Sequence, residues 1–185
     1  MFISVAAFAA SLPELRIEAA AGGSVLFVRN ISSQTLVTYL IELVDYPGSS
    51  FSLWRDEPVA PGEEKRIQIT NMTVGAVPDY VKVRAARYAD GSTAGVPDKV
   101  ALLNGRRLAQ LEAARELAKK LETGQDLRVW IDSLQPEGKP KYDSPAWVNR
   151  AGQYELVTSF IPKQGPPGIS EILVRVKAAV SALEK

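Results

Sequence analysis

Apolar and polar positions change their rhythm once along this chain. From Leu15 to Gly95 the apolar residues come in short runs of period two, separated by turn residues. Such runs predict β-strands with one face buried. Leu15-Arg16-Ile17-Glu18 alternates and is ended by Ala21-Gly22-Gly23. Ser24 to Asn30 is apolar on both faces at first, as expected of a central strand. After the turn cluster Ser32-Ser33-Gln34, the longest run extends from Leu36 to Tyr46. Strict alternation would put Val37, Tyr39, Ile41 and Leu43 on one face, and Thr38, Leu40, Glu42 and Val44 on the other. Pro47-Gly48 breaks this run, and Phe51-Ser52-Leu53-Trp54 makes a short strand. Pro61-Gly62 has the form of a tight turn, with Pro fixing the first central φ and Gly accepting a positive one. Glu64–Thr70 and Tyr80–Ala89 are two further strands, the second expected to turn Val81, Val83 and Ala85 inward. Asp90-Gly91 closes a hairpin onto Thr93-Ala94-Gly95.

From Asp98 onward the apolar spacing is helical. Leu103, Arg107, Leu111, Ala114, Ala118 and Leu121 share a stripe over 98–122, which Gly124 ends. Gly105, inside this segment, marks an expected kink or a separate short helix. Leu127, Trp130, Ile131 and Leu134 predict a second helix, stopped by Pro136. Ser144-Pro145 opens a third, on which Trp147, Ala151, Tyr154 and Ile161 share a face. Ile169, Ile172, Leu173, Val176, Val180 and Leu183 form the cleanest stripe of all. About seven strands followed by helices predict an α+β chain, an antiparallel immunoglobulin-like β-sandwich with a C-terminal α-helical extension. The expected division is 1–12 as a signal-peptide remnant, 13–96 as the sandwich and 97–185 as the helical extension.

Composition narrows the chemistry. The 185 residues contain no Cys and no His. Disulfides, thiolate nucleophiles, imidazole bases, Ser-His-Asp triads and nearly all zinc or copper sites are thereby excluded. Twenty-two basic residues against 21 acidic ones leave a net charge of +1, which argues against a nucleic-acid partner. No run reaches the ~18 apolar residues that a membrane span requires, so no integral membrane segment is expected. Residues 2–10, FISVAAFAA, are apolar, and Ala7-Phe8-Ala9 fits the pattern before a signal-peptidase cut, although no Lys or Arg precedes the run. Export to the periplasm or the exterior is therefore expected.

Binding residues are sought among exposed aromatics and arginines. Trp54-Arg55-Asp56-Glu57 lies between strands and offers an aromatic anchor, with an inter-sheet core position for Trp54 as the alternative. Tyr46 and Trp147 are further aromatic candidates. Arg106-Arg107, with Lys99, Lys119 and Lys120, forms either an anion patch or a solvated helix face. Asp45, Asp56 and Asp90 stand at strand ends without the loop pattern of a calcium site. Asn30-Ile31-Ser32 and Asn71-Met72-Thr73 match the glycosylation sequon. No residue pattern calls for a metal or a cofactor.

Three turn motifs carry a resemblance. Val28-Arg29-Asn30-Ile31-Ser32, followed by Leu36-Val37-Thr38-Tyr39, then Pro61-Gly62-Glu63, and then Tyr88-Ala89-Asp90-Gly91-Ser92 with Gly95, resemble a series found in small exported bacterial β-sandwich proteins. A helix with an arginine pair follows in the same order. The resemblance covers roughly 13–122 and implies an immunoglobulin- or fibronectin-like fold; it brings no catalytic residues. A copper-chaperone role, which needs His and Met clusters, does not fit a chain whose methionines are Met1 and Met72. The expected function is non-catalytic protein–protein or structural work in the cell envelope, with a protein partner. A carbohydrate- or peptide-binding module and a carboxylate-based hydrolase are the alternatives.

Overall fold

The structure, a computed structural model, describes residues 10–45, 50–70, 78–161 and 168–184. It is mixed α+β, with seven strands in two antiparallel sheets and four helices. The chain divides into two compact units, one ending at Leu103 and the other beginning at Asn104.

The first unit holds the sheets. Strands β1 (Glu14–Ala20), β2 (Gly23–Arg29) and β5 (Glu64–Thr70) form one sheet in the order β1-β2-β5. Strands β3 (Leu36–Leu43), β4 (Ser52–Arg55), β6 (Val81–Tyr88) and β7 (Thr93–Gly95) form the other in the order β4-β3-β6-β7. A short 3-10 turn over Pro78–Tyr80 leads into β6. Leu26 and Val28 of β2, Ile67 of β5, Tyr39 and Ile41 of β3, and Val81, Val83 and Tyr88 of β6 belong to one buried cluster shared by the two sheets. Full burial of each aliphatic side chain of this kind contributes ~1.5–3 kcal/mol before chain entropy is counted.

The alternation within β3 and β6 is not simple. Leu40 pairs with Ala85, but the next residue, Ile41, pairs with Val83, so Arg84 is an extra residue on β6. Upstream, Leu36 faces Tyr88 and Thr38 faces Arg87, so Val37 is extra on β3. Each bulge inverts the phase of the side chains beyond it. Ala85 consequently does not turn inward with Val81 and Val83; it lies with Leu40 and Leu103 in a separate cluster. Leu36 takes the core position that strict alternation assigns to Val37, which is half-buried.

The resemblance motifs have a physical explanation in these turns. Asn30 is fully buried. Its Nδ2 donates to the carbonyls of Gln34 and Val59, both at 2.8 Å. Its Oδ1 accepts from the Ser32 amide at 3.0 Å and from the Ser32 hydroxyl at 2.8 Å. The Asn30 carbonyl accepts from the amide of Gly62 at 2.8 Å, so the Pro61-Gly62 turn is tied to the same residue. The sequon at Asn30 is therefore closed in the folded state, because its amide nitrogen is buried and engaged. The sequon at Asn71 lies outside the described residues.

Gly95 ends β7 at φ 119°, and a Cβ there would stand 2.2 Å from the Arg84 carbonyl. Only glycine permits this departure from the sheet. Helix α1 (Pro97–Thr123) begins two residues later, and Val100 and Leu103 pack with Leu40, Ala85 and Trp54. That packing is why the first unit reaches Leu103 rather than stopping at the end of the strands. Beside it, Glu42 is buried and accepts from Lys99 Nζ at 2.7 Å and from the Ser52 hydroxyl at 3.2 Å, with Arg84 Nε at 3.7 Å.

The second unit is helical: the rest of α1, then α2 (Arg128–Leu134), α3 (Pro145–Phe160) and α4 (Ile169–Leu183). Leu117, Leu121, Leu134, Val157, Phe160, Ile172 and Val176 belong to its core. Gly105 neither kinks nor breaks α1. A Cβ there would meet the Asn149 side chain of α3 at 3.3 Å, so its small size serves the close approach of α3. On α3 the buried positions are Val148, Ala151, Gly152, Val157 and Phe160; the expected Trp147 and Tyr154 are half-buried. Ile169 of the α4 stripe is 59% exposed.

Candidate functional site

The sheet orders leave β4 and β5 as end strands of their respective sheets. Their outer edges have no strand partner among the described residues. A cleft of about 470 Å³ lies along this seam, lined by Trp54 and Arg55 of β4, by Asp56 and Glu57 after it, and by Arg66 and Gln68 of β5, with Ile67 at its side. Trp54 and Arg55 close the edge strand β4, and Asp56 and Glu57 follow it. Trp54 itself is not an inter-sheet core residue. It packs toward Leu40, Val100 and Leu103, on the opposite face of the sheet from Tyr39 and Ile41.

Polar side chains in and beside the cleft set its chemistry. Asp56 accepts from the Thr38 hydroxyl at 2.8 Å. Arg55 is half-buried and Arg66 exposed. Tyr39, paired with Arg55 across β3 and β4, is fully buried, and its hydroxyl has no hydrogen-bond partner among the described residues. Burial, reinforced by the Glu57 carboxylate and opposed by the Arg55 guanidinium, pushes this hydroxyl well above the ordinary phenol range. It therefore stays a neutral donor at any physiological pH. A buried hydroxyl without a partner costs ~1–3 kcal/mol. Arg66 and Gln68 were not singled out from sequence as site residues. They enter the site only through the adjacency of β4 and β5, which no local motif encodes.

Among the remaining candidates, the structure corrects the arginine pair. Arg106 and Arg107 are only 4% and 8% exposed, so they form neither an anion patch nor a solvated face. Arg106 donates to Glu155 of α3 at 2.5 Å and lies against Gly152, where a Cβ would come within 2.7 Å of its Cγ. Arg107 donates to the Ala182 carbonyl near the end of α4 at 2.7 Å. Both arginines fasten helices within the second unit. Lys99 is likewise engaged, by Glu42. Trp147, in the second unit, is half-buried and meets Tyr142 edge to face at 6.0 Å. Tyr46 lies outside the described residues.

The first unit has a smaller opening of about 370 Å³ between Leu15 and Ile17 of β1 and Val81 and Val83 of β6. The second unit has an apolar cleft of about 450 Å³ bordered by Leu121, Leu127, Ile131, Ile161 and Ile172. Among the described residues no group of three or more acidic side chains could hold a metal ion. No described helix is long and apolar enough to cross a membrane. Comparison with family models, curated proteins and solved structures finds no match to this chain.

Proposed function

We propose that this protein is a non-catalytic binding module that receives an extended peptide segment of a partner protein along the β4–β5 seam. The observation that carries this reading is a cleft flanked by two strand edges that have no strand partner among the described residues. An added strand supplies what both edges lack. Its backbone satisfies the edge amides and carbonyls. The absence of His and Cys supports a role without covalent or imidazole chemistry.

An immunoglobulin-like classification fits the same picture. The first, second and fifth strands share one sheet, and the third, sixth and seventh share the other, which is the immunoglobulin partition; here the fourth strand joins the third. We further propose that the protein works at the cell envelope or outside the cell, on the strength of the apolar run 2–10. N-terminal sequencing of the native protein tests this: a start just after Ala9 supports export, and a start at Met1 contradicts it.

The peptide-binding reading is tested by selecting ten-residue peptides on the intact protein from a displayed library. Amide hydrogen exchange then maps the complex. Protection gained over 52–57 and 64–70 supports the reading; protection confined to other segments overturns it.

A further inference from the structure

The two strand edges that flank the cleft are not equivalent, and their backbones point to the one that receives the added strand, an inference that rests on the peptide-binding reading just given. In an antiparallel pair, alternate residues turn both amide and carbonyl toward the partner strand, and the residues between turn theirs away. The Asn30 amide donates to the Glu63 carbonyl at 2.9 Å, in the same register that pairs Val28 with Lys65 and Leu26 with Ile67. Lys65, Ile67 and Ile69 therefore direct their backbone groups to β2, and Glu64, Arg66, Gln68 and Thr70 present theirs at the outer edge. Across the cleft, the Leu43 amide donates to the Phe51 carbonyl at 3.0 Å, in the register that pairs Ile41 with Leu53 and Tyr39 with Arg55. Leu53 and Arg55 thus face β3, and of β4 only Ser52 and Trp54 face outward. Beyond Arg55 come two acids and Pro58, which has no amide proton, before Val59 bridges back to Leu36 of β3. β5, in contrast, pairs with β2 over all seven of its residues in one unbroken register.

We infer that the partner segment adds to the outer edge of β5 rather than to β4, and that it carries apolar residues at alternate positions. The four outward residues of β5 form a continuous row of donors and acceptors, whereas the edge of β4 ends after two. Side chains along β5 alternate in the same way. Glu64, Arg66, Gln68 and Thr70 are exposed, while Ile67 belongs to the core shared by the two sheets and Ile69 packs against it. An added strand follows the same pleat whichever way it runs, so every second residue falls on the inter-sheet side beside Ile67 and Ile69. Apolar side chains there extend the core at its rim. The residues between them lie on the exposed face with Arg66 and Gln68, where polar side chains stay in water.

The probe is a ten-residue peptide in which Val alternates with Ser, added to the intact, isotope-labelled protein while NMR reads amide exchange residue by residue. In the free protein the amides of Arg66 and Gln68 should exchange faster than those of Lys65, Ile67 and Ile69. With the peptide bound, Arg66 and Gln68 should slow about tenfold, and Ser52 and Trp54 by less. Arg66→Pro takes away an outward amide and no bond to β2, a place where a strand tolerates proline. With circular dichroism confirming the fold, it should weaken the peptide about tenfold, while Arg66→Ala and Ser52→Pro leave the affinity within about twofold. Gln68→Pro makes the same test if Arg66→Pro does not fold. A peptide with Gln in place of every Val should bind about tenfold more weakly. Protection at Ser52 and Trp54 in place of Arg66 and Gln68, or loss of binding through Ser52→Pro alone, overturns the assignment to β5 while the peptide-binding reading stands. Equal binding of the Val and Gln peptides overturns the apolar preference. If neither these nor any library-selected peptide protects either edge, the peptide-binding reading itself is overturned.

Discussion

Asn30 offers the sharpest test of how the first unit is held together. Replacing it with Ala removes four side-chain hydrogen bonds, those to the Gln34 and Val59 carbonyls and those from the Ser32 amide and hydroxyl. At ~1 kcal/mol net for each bond, the upper bound is ~4 kcal/mol. Two circumstances reduce it. Gln34 is exposed and Ser32 half-exposed, so water can replace part of what they lose. The buried Val59 carbonyl keeps the Leu36 amide, at 3.0 Å, as a second donor. The expected cost of Asn30→Ala is therefore ~2–3 kcal/mol. Asn30→Asp should cost more, although it preserves the volume. It removes both donors and sets a carboxylate in a fully buried site facing two carbonyl oxygens. Ser32→Ala should cost no more than ~1 kcal/mol, because the Asn30 donors survive it. Urea unfolding in a Trp130→Phe/Trp147→Phe background makes Trp54 the sole tryptophan, so its fluorescence reports on the first unit. A loss below ~0.5 kcal/mol for Asn30→Ala, or an Asp variant more stable than the Ala variant, would refute this account of the hub.

Other consequences follow from the same structure. Glu42→Ala should destabilise the first unit by ~2–4 kcal/mol, since it strips Lys99 and Arg84 of a largely buried counter-charge; thermal denaturation measures it, and a neutral result contradicts the contact. Gly95→Ala should cost ~3 kcal/mol or more, because its Cβ would clash with the Arg84 carbonyl; Gly124→Ala, also at positive φ but with nothing within 4 Å, should cost only ~1 kcal/mol. Tyr39 and Tyr88 both have raised folded-state pKa values, chiefly through burial, so the folded chain holds protons that the unfolded chain gives up. Stability should therefore fall as pH rises above ~10, and Tyr39→Phe should flatten that slope in alkaline urea titrations. At neutral pH the same variant should be as stable as the parent or more so, since the lost hydroxyl has no hydrogen-bond partner among the described residues.

The strands and helices were legible to within a few residues because turn chemistry punctuates this chain unusually clearly. Pro61-Gly62, Asp90-Gly91 and Ser144-Pro145 each stand where an element ends or begins. What escaped was whatever depends on the pairing of distant segments. The bulges at Val37 and Arg84 leave no local sign, yet they put Leu36 rather than Val37 in the core and turn Ala85 away from it. Arg106 and Arg107 look like surface residues by type. Their burial follows from Gly152 and from the Ala182 carbonyl, both many residues away. Half of the candidate site was visible as the run Trp54 to Glu57. The other half was not, because Arg66 and Gln68 belong to an ordinary alternating strand. Only the order of strands in two sheets brings them to one seam.

The central claim, that an extended chain adds to the β4–β5 seam, is tested most directly by isotope-filtered NMR on the intact protein with a bound ten-residue peptide. The account predicts inter-strand backbone NOEs from the peptide to the edge of β4 or β5. NOEs confined to the helices of the second unit, or a peptide bound with no backbone contact to either strand, would contradict it.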